Sequence, residues 1–196
     1  VCALASMTAA ASPPGVALKD FAGRERNVNE FVGRGKWVAV TIWAHDCGVC
    51  AAEIHEMGDF HRARKDRDAL VLGVSIDGYD QRKQAEAFVK RHNLPFTNLI
   101  AEPSQEVILK FGAGELVGTP TTYLYEPGGR LAAMTIGPVS RHDIESYIER
   151  NTPGVAPEPA ALSTAGGGPA LQRAGAKAGE DVVALGREEI APGVAH

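Results

Sequence analysis

The sequence has no excess of positive charge. Its 20 Lys and Arg are outnumbered by 24 Asp and Glu, for a formal net charge of -4 and a pI near 5.9. Nucleic-acid-binding domains usually carry a clustered basic surplus, so no nucleic-acid partner is expected. The most basic stretch, His61-Arg62-Ala63-Arg64-Lys65, runs straight into Asp66 and reads as a solvated helix face. No apolar run approaches the roughly 20 residues needed to span a bilayer. Cysteine is scarce, with three in the chain. Cys47 and Cys50 form a single C-x-x-C and Cys2 stands apart, so a four-cysteine zinc site is excluded. Aromatic residues are missing altogether after Asn151.

What is present is a globular composition, 44% hydrophobic and 22% charged over 196 residues, enough for one buried domain with material to spare. Three parts are expected. Residues 1–15 begin with a small, apolar stretch through Ala11 and break at Ser12-Pro13-Pro14-Gly15, like the end of a secretory leader with its cleavage site. Cleavage near Ala11 would discard Cys2, and Val1 is not the small residue that usually precedes a lipidated cysteine. Residues 16–150 alternate strand and helix patterns. Residues 151–196 are rich in Ala, Gly and Pro and are expected to stay mostly disordered.

Within 16–150, Trp37–Trp43 is a short apolar β-rich run suited to a central strand covered on both faces. A helix is expected from Cys47 to Arg64, with Val49, Ile54, Met57 and Phe60 as its apolar positions. Leu70–Ile76 reads as a second buried strand, and residues 81–92 as an amphipathic helix with Ala85, Phe88 and Val89 inward. A short helix is expected over Gln105–Phe111. Thr121–Tyr125 and Arg130–Ile136 flank Glu126-Pro127-Gly128-Gly129, a hairpin signal, and Arg141–Arg150 reads as a closing helix. This order predicts an α/β fold with a central mixed sheet flanked by helices.

A C-x-x-C at a strand-to-helix junction puts Cys47 at the helix start and Cys50 one turn on. Unpaired N–H groups and the helix dipole favour an anion there, so Cys47 is the expected attacking thiolate and Cys50 the resolving sulfur. Glu53, three residues beyond Cys50, shares its helix face. Spacing alone leaves Glu53 open between a proton-exchange partner of Cys50 and an ordinary exposed acid near a helix start. Thr119-Pro120 opens a strand, a position that accepts either a cis or a trans proline.

These residues together resemble the TlpA/ResA-like family of thioredoxin-fold proteins. The matching stretches are Leu18-Lys19-Asp20-Phe21 with Gly23, Gly35-Lys36-Trp37-Val38, Ile42-Trp43-Ala44 before the C-x-x-C, Glu53 after it, and Gly118 to Leu124. The resemblance implies a thioredoxin-like fold and a periplasmic or extracytoplasmic thiol–disulfide oxidoreductase, tethered to the membrane until its leader is cleaved. Its only redox group would be the Cys47–Cys50 disulfide, with no cofactor and no metal. It implies a monomer that reduces disulfides of client proteins, as in cytochrome c or metalloprotein maturation, and is itself re-reduced by a membrane thiol donor. It makes Glu53 a buried acid tuning the cysteine pair, makes Pro120 cis, and places Trp43, Thr119 and Pro120 against the substrate. The chain departs from the family pattern at His45-Asp46 before Cys47, at Ala51 and at His55, which points to a specialised partner.

Three rival readings remain. His45, Cys47, Cys50 and His55 could make a copper or zinc module, although five residues of helix carry His55 away from the Cys50 face. A peroxiredoxin shares the fold but needs a T-x-x-C, and Ala44 stands where its threonine would be. A redox-dead scaffold is the third.

Overall fold

The structure, a computed structural model, describes residues 15–104, 110–112, 118–152 and 172–173. Its strands are β1 (Ala17–Lys19), β2 (Glu25–Asn27), β3 (Trp37–Trp43), β4 (Ala69–Ser75), β5 (Thr97–Ile100), β6 (Thr121–Tyr125), β7 (Leu131–Ile136) and β8 (Gln172–Arg173). The α-helices among the described residues are α1 (Gly48–Arg64), α2 (Arg82–Arg91) and α3 (Arg141–Asn151). The sheet runs β2-β1-β5-β4-β3-β6-β7-β8. β3, β4 and β5 are parallel neighbours, while β6 returns antiparallel on β3 and β7 antiparallel on β6. This is the expected mixed sheet, with β3 at its centre.

The side-chain period of two splits β3 between two cores. Trp37, Ala39 and Trp43 face one cluster, which takes in Ile54, Met57 and Phe60 of α1, Ala85 and Phe88 of α2, and Ile144, Tyr147 and Ile148 of α3. Val38, Val40 and Ile42 face the other, closed by Val16, Leu18, Val28, Val32 and Phe111. All seven residues of β3 are buried, which is why this run reads as continuous apolar sequence rather than an alternation. The three α-helices all contribute to the first cluster. The expected Gln105–Phe111 helix lies largely outside the described residues, as do the leader-like segment and most of the tail. Of the tail, Gln172–Arg173 is described, and it pairs with Ala133–Met134 of β7.

Boundaries follow local chemistry. Cys47 is the N-cap of α1, and Ser140 caps α3 by accepting from the Asp143 N–H. Asp20 turns the chain after β1, its carboxylate accepting from the Ala22 and Arg24 N–H groups. Gly129, at φ 90°, closes the hairpin between β6 and β7 by donating to the Glu126 carbonyl. One side chain departs from expectation: Val49 is 49% exposed, whereas Ile54, Met57 and Phe60 point inward. It sits in the first turn of α1, next to the buried Cys50, with its own side chain open to solvent.

Candidate active site

β3 ends at Trp43 and hands the chain to a tight turn, Ala44 to Cys47, in which the Cys47 N–H donates to the Ala44 carbonyl at 3.3 Å. The turn sets Cys47 in extended backbone (φ -77°, ψ 106°) at the start of α1. Its sulfur accepts the Cys50 N–H at 3.0 Å, so a backbone donor orphaned by the helix start is aimed at the reactive atom. Cys47 and Cys50 are bonded as a disulfide, with Cα atoms 5.2 Å apart. Cys47 is half-buried whereas Cys50 is 1% exposed. A partner from solvent therefore reaches the first sulfur and not the second.

The Thr119–Pro120 peptide is cis. Thr119 and Pro120 come from the chain just before β6, and the Thr119 carbonyl oxygen lies 3.5 Å from Cys47 Sγ. A disulfide sulfur carries no proton, so this is a contact in the oxidised state; a Cys47 thiol would have a hydrogen to donate to it. The Pro120 carbonyl accepts from Gly137 N–H at 2.8 Å, tying this segment to the end of β7.

Behind the disulfide lies a cavity of about 20 Å³, lined by residues that include Thr41, Trp43, Cys50, Glu53, Pro120 and Thr122. That is room for about one water molecule. Glu53 is half-buried on its wall, so the acid and Cys50 do share one space, as their helical spacing implies. The Thr41 and Thr122 hydroxyls pair at 3.3 Å beneath them. Trp43 is 0% exposed. Its indole N–H donates to Asn98 Oδ1 at 3.1 Å and its ring stacks on Phe88 at 4.6 Å. It forms the wall behind the disulfide rather than the surface a client would touch.

The polar partner of the His45 ring is Asp77. The ring Nδ1 lies 2.7 Å from Asp77 Oδ1, and the His45 backbone N–H donates to both oxygens of the same carboxylate. Within the described residues the group of potential ligand atoms that converges within 4.8 Å is His45, Asp46 and Asp77. Asp77 is already engaged by His45 and by the Ser75 hydroxyl at 2.6 Å, so we assign no ion to it. The cysteines are bonded to each other, and the His55 side chain is 61% exposed beside Glu56. The arrangement thus does not bring His45, Cys47, Cys50 and His55 together. Asp77 is the site-proximal residue that the sequence reading missed. Its place follows from the strand pairing and not from either segment alone: β3 and β4 are parallel with Trp43 opposite Ser75, so the residues two further along each strand, His45 and Asp77, emerge side by side.

Comparisons with known proteins agree with this geometry. The AhpC/TSA family profile matches residues 10–134. A thiol-disulfide oxidoreductase ResA of Geobacillus thermodenitrificans is 26% identical over 140 residues, covering 71% of this chain and 76% of the relative. Among solved structures, a thioredoxin-family thiol:disulfide interchange protein of Chlorobium tepidum superposes with a TM-score of 0.60 at 19% identity, covering 70% of this chain and 93% of that one. A secreted thiol-disulfide isomerase of Corynebacterium glutamicum superposes with a TM-score of 0.59 at 22% identity, covering 68% and 80%. The two structural likenesses establish the thioredoxin-like fold. No helix among the described residues is long and apolar enough to cross a membrane.

Proposed function

The chain belongs to the AhpC/TSA family, and from that premise we propose that it is an extracytoplasmic thiol–disulfide oxidoreductase that reduces disulfides of client proteins through Cys47 and Cys50. The observation that carries this reading is the asymmetry of the pair: Cys47 caps a helix with its sulfur on a backbone N–H at 3.0 Å, half open to solvent, while Cys50 is buried one turn on. Only the first can attack, and only the second is placed to resolve. The oxidoreductase name of the ResA relative and the secreted neighbour support the activity and the compartment, and the apolar start of the chain fits a leader.

The reaction balances as two exchanges. The Cys47 thiolate attacks one sulfur of a client disulfide, forming a mixed disulfide and releasing the other client sulfur as a thiolate. Cys50 then loses its proton and attacks Cys47 Sγ. The mixed disulfide breaks, the second client thiol leaves, and the Cys47–Cys50 bond forms. Two electrons pass from this protein to the client. Glu53, on the wall of the cavity that Cys50 lines, takes the Cys50 proton, through the water that the cavity has room for. Thr119 and Pro120 provide the surface on which the client strand lies. A membrane dithiol carrying electrons outward restores the reduced pair, and the protein acts as a monomer.

The test is client trapping. With Cys50→Ala the mixed disulfide cannot resolve, so covalent client adducts should accumulate; with Cys47→Ala none should form. Equal adducts from both variants would overturn the assigned roles, and adducts from neither would overturn the activity.

A further inference from the structure

We propose that Asp77 and His45 are positioning residues for the redox reaction: together they hold the turn that presents Cys47, and so set the reactivity of its sulfur. The inference rests on the reading of Cys47 as the attacking group. It concerns a pair at positions where nothing in the C-x-x-C itself requires an acid or a histidine.

The observations converge on one carboxylate. The Asp77 side chain is 4% exposed, yet no Lys or Arg among the described residues pairs with it; its partners are His45 and Ser75. Both its oxygens accept the His45 backbone N–H at 3.1 Å, Oδ1 faces the His45 ring Nδ1 at 2.7 Å, and Oδ2 accepts the Ser75 hydroxyl at 2.6 Å. Ser75 Oγ in turn accepts the Asp77 N–H at 3.2 Å, which closes a small ring at the end of β4. A buried carboxylate is costly unless its lone pairs are met by hydrogen bonds. Here the bonds that meet them come from β4 itself and from the residue two before Cys47.

His45 is the second residue of the Ala44–Cys47 turn. Fixing its backbone N–H and its ring on one anchor fixes the orientation of the peptide that leads into Cys47. Only with that peptide fixed does the Cys47 sulfur stay under the Cys50 N–H and within 3.5 Å of the Thr119 carbonyl. The His45 ring contributes a donor at Nδ1, because a carboxylate accepts and cannot donate. The anchor lies 32 residues away in sequence and belongs to the strand next to β3, so the turn is held by the sheet rather than by its own loop. Of the other charged groups nearby, Asp46 is exposed, and Glu102 faces the following turn, accepting from the Tyr79 N–H at 3.4 Å. Neither takes the place of Asp77 on the His45 N–H.

The test measures the rate at which iodoacetamide alkylates Cys47 in the reduced full chain near neutral pH, scored at that residue by peptide mass. Four proteins are compared: wild type, His45→Ala, His45→Asn and Asp77→Asn. If freeing the turn costs about a tenfold drop in thiolate fraction, the greater nucleophilicity of the more basic sulfur recovers part of it, and the rate should fall about threefold. His45→Ala should show that fall. His45→Asn, whose short amide can place an N–H where Nδ1 stands, should restore the wild-type rate. Asp77→Asn should be slow like His45→Ala. Should Asp77→Asn fail to fold, the His45 pair still decides, because that side chain is 24% exposed. A wild-type rate in His45→Ala, or a His45→Asn no faster than His45→Ala, overturns the proposal. Equilibration of the wild type with glutathione separates this failure from that of the oxidoreductase reading. A wild type that forms no reversible Cys47–Cys50 disulfide sinks the latter, whereas a cycling wild type with an indifferent His45→Ala sinks only the positioning role.

Discussion

Gly73→Ala offers a sharp test of how the site is supported, because a single methyl group is enough to disturb it. Gly73 lies in the middle of β4, opposite Thr41 of β3. A Cβ added there would stand 2.0 Å from Asn98 Oδ1, 2.8 Å from Asn98 Cγ and 3.0 Å from the Phe96 ring. Asn98 is buried and cannot simply swing into solvent; it bridges the Trp43 indole N–H to the Phe96 carbonyl. Overpacking of this kind costs about 1–3 kcal/mol. Displacing the amide also strands the Trp43 N–H in a dry core, for another 1–3 kcal/mol or so. The expected loss is about 2–6 kcal/mol, or roughly 4–24 °C in Tm for a domain of this size. Urea unfolding followed by tryptophan emission measures it directly, and Trp43 also reports the local change. In an Asn98→Ala background the same substitution should cost less by about 1–3 kcal/mol, since the atom it collides with is gone. A Gly73→Ala protein within about 0.5 kcal/mol of wild type would mean that Asn98 yields without releasing the Trp43 N–H.

Other consequences follow from buried polar groups. The His61 ring accepts the Val71 N–H at its Nδ1, and burial holds its pKa below the ordinary histidine value, as it does for His92. The unfolded chain therefore binds a proton more readily than the folded one. The stability from keeping these rings neutral is present above the unfolded histidine pKa and is lost as pH falls. Unfolding midpoints should drop between about pH 7.5 and about pH 5.5, and a midpoint that rises over that window would contradict the assignment. Tyr125 donates its hydroxyl to the Phe111 carbonyl at 2.7 Å in the second core, and burial raises its pKa far above the usual range. Tyr125→Phe leaves that carbonyl without its donor and should cost about 1–2 kcal/mol in denaturant unfolding; a neutral result would mean the carbonyl finds another partner.

The part of the fold that was legible in sequence is the part with strong local pattern. β3 ends where the apolar run ends, at Trp37 and Trp43. The start of α1 was marked by the C-x-x-C, and the hairpin by Glu126-Pro127-Gly128-Gly129. β1, β2 and β5 were not legible. They are three or four residues long, and two of them are polar: Glu25-Arg26-Asn27 becomes a strand by pairing with β1, and Thr97-Asn98 by lying against β4. Asn98 argues against a strand by propensity, yet its amide serves Trp43 from across the sheet, a tertiary contact that outweighs the local preference. The same limit applies at the site. Cys47, Cys50, Glu53, Thr119 and Pro120 could be read from motif and resemblance. That Trp43 lies fully behind the disulfide, and that Asp77 reaches His45, depends on the register between β3 and β4. Register is a property of the paired strands and is not written in either one alone.

The central claim is that Cys47 and Cys50 form a reversible two-electron couple in which Cys47 reacts first. Equilibrating the full chain with glutathione buffers of graded potential, then quenching by alkylation and mapping each cysteine by mass, tests it most directly. One transition is expected, with Cys47 and Cys50 reduced together and Cys47 alkylated the faster of the two near neutral pH. Two cysteines that are oxidised or reduced independently, or that both react sluggishly at every potential, would contradict it.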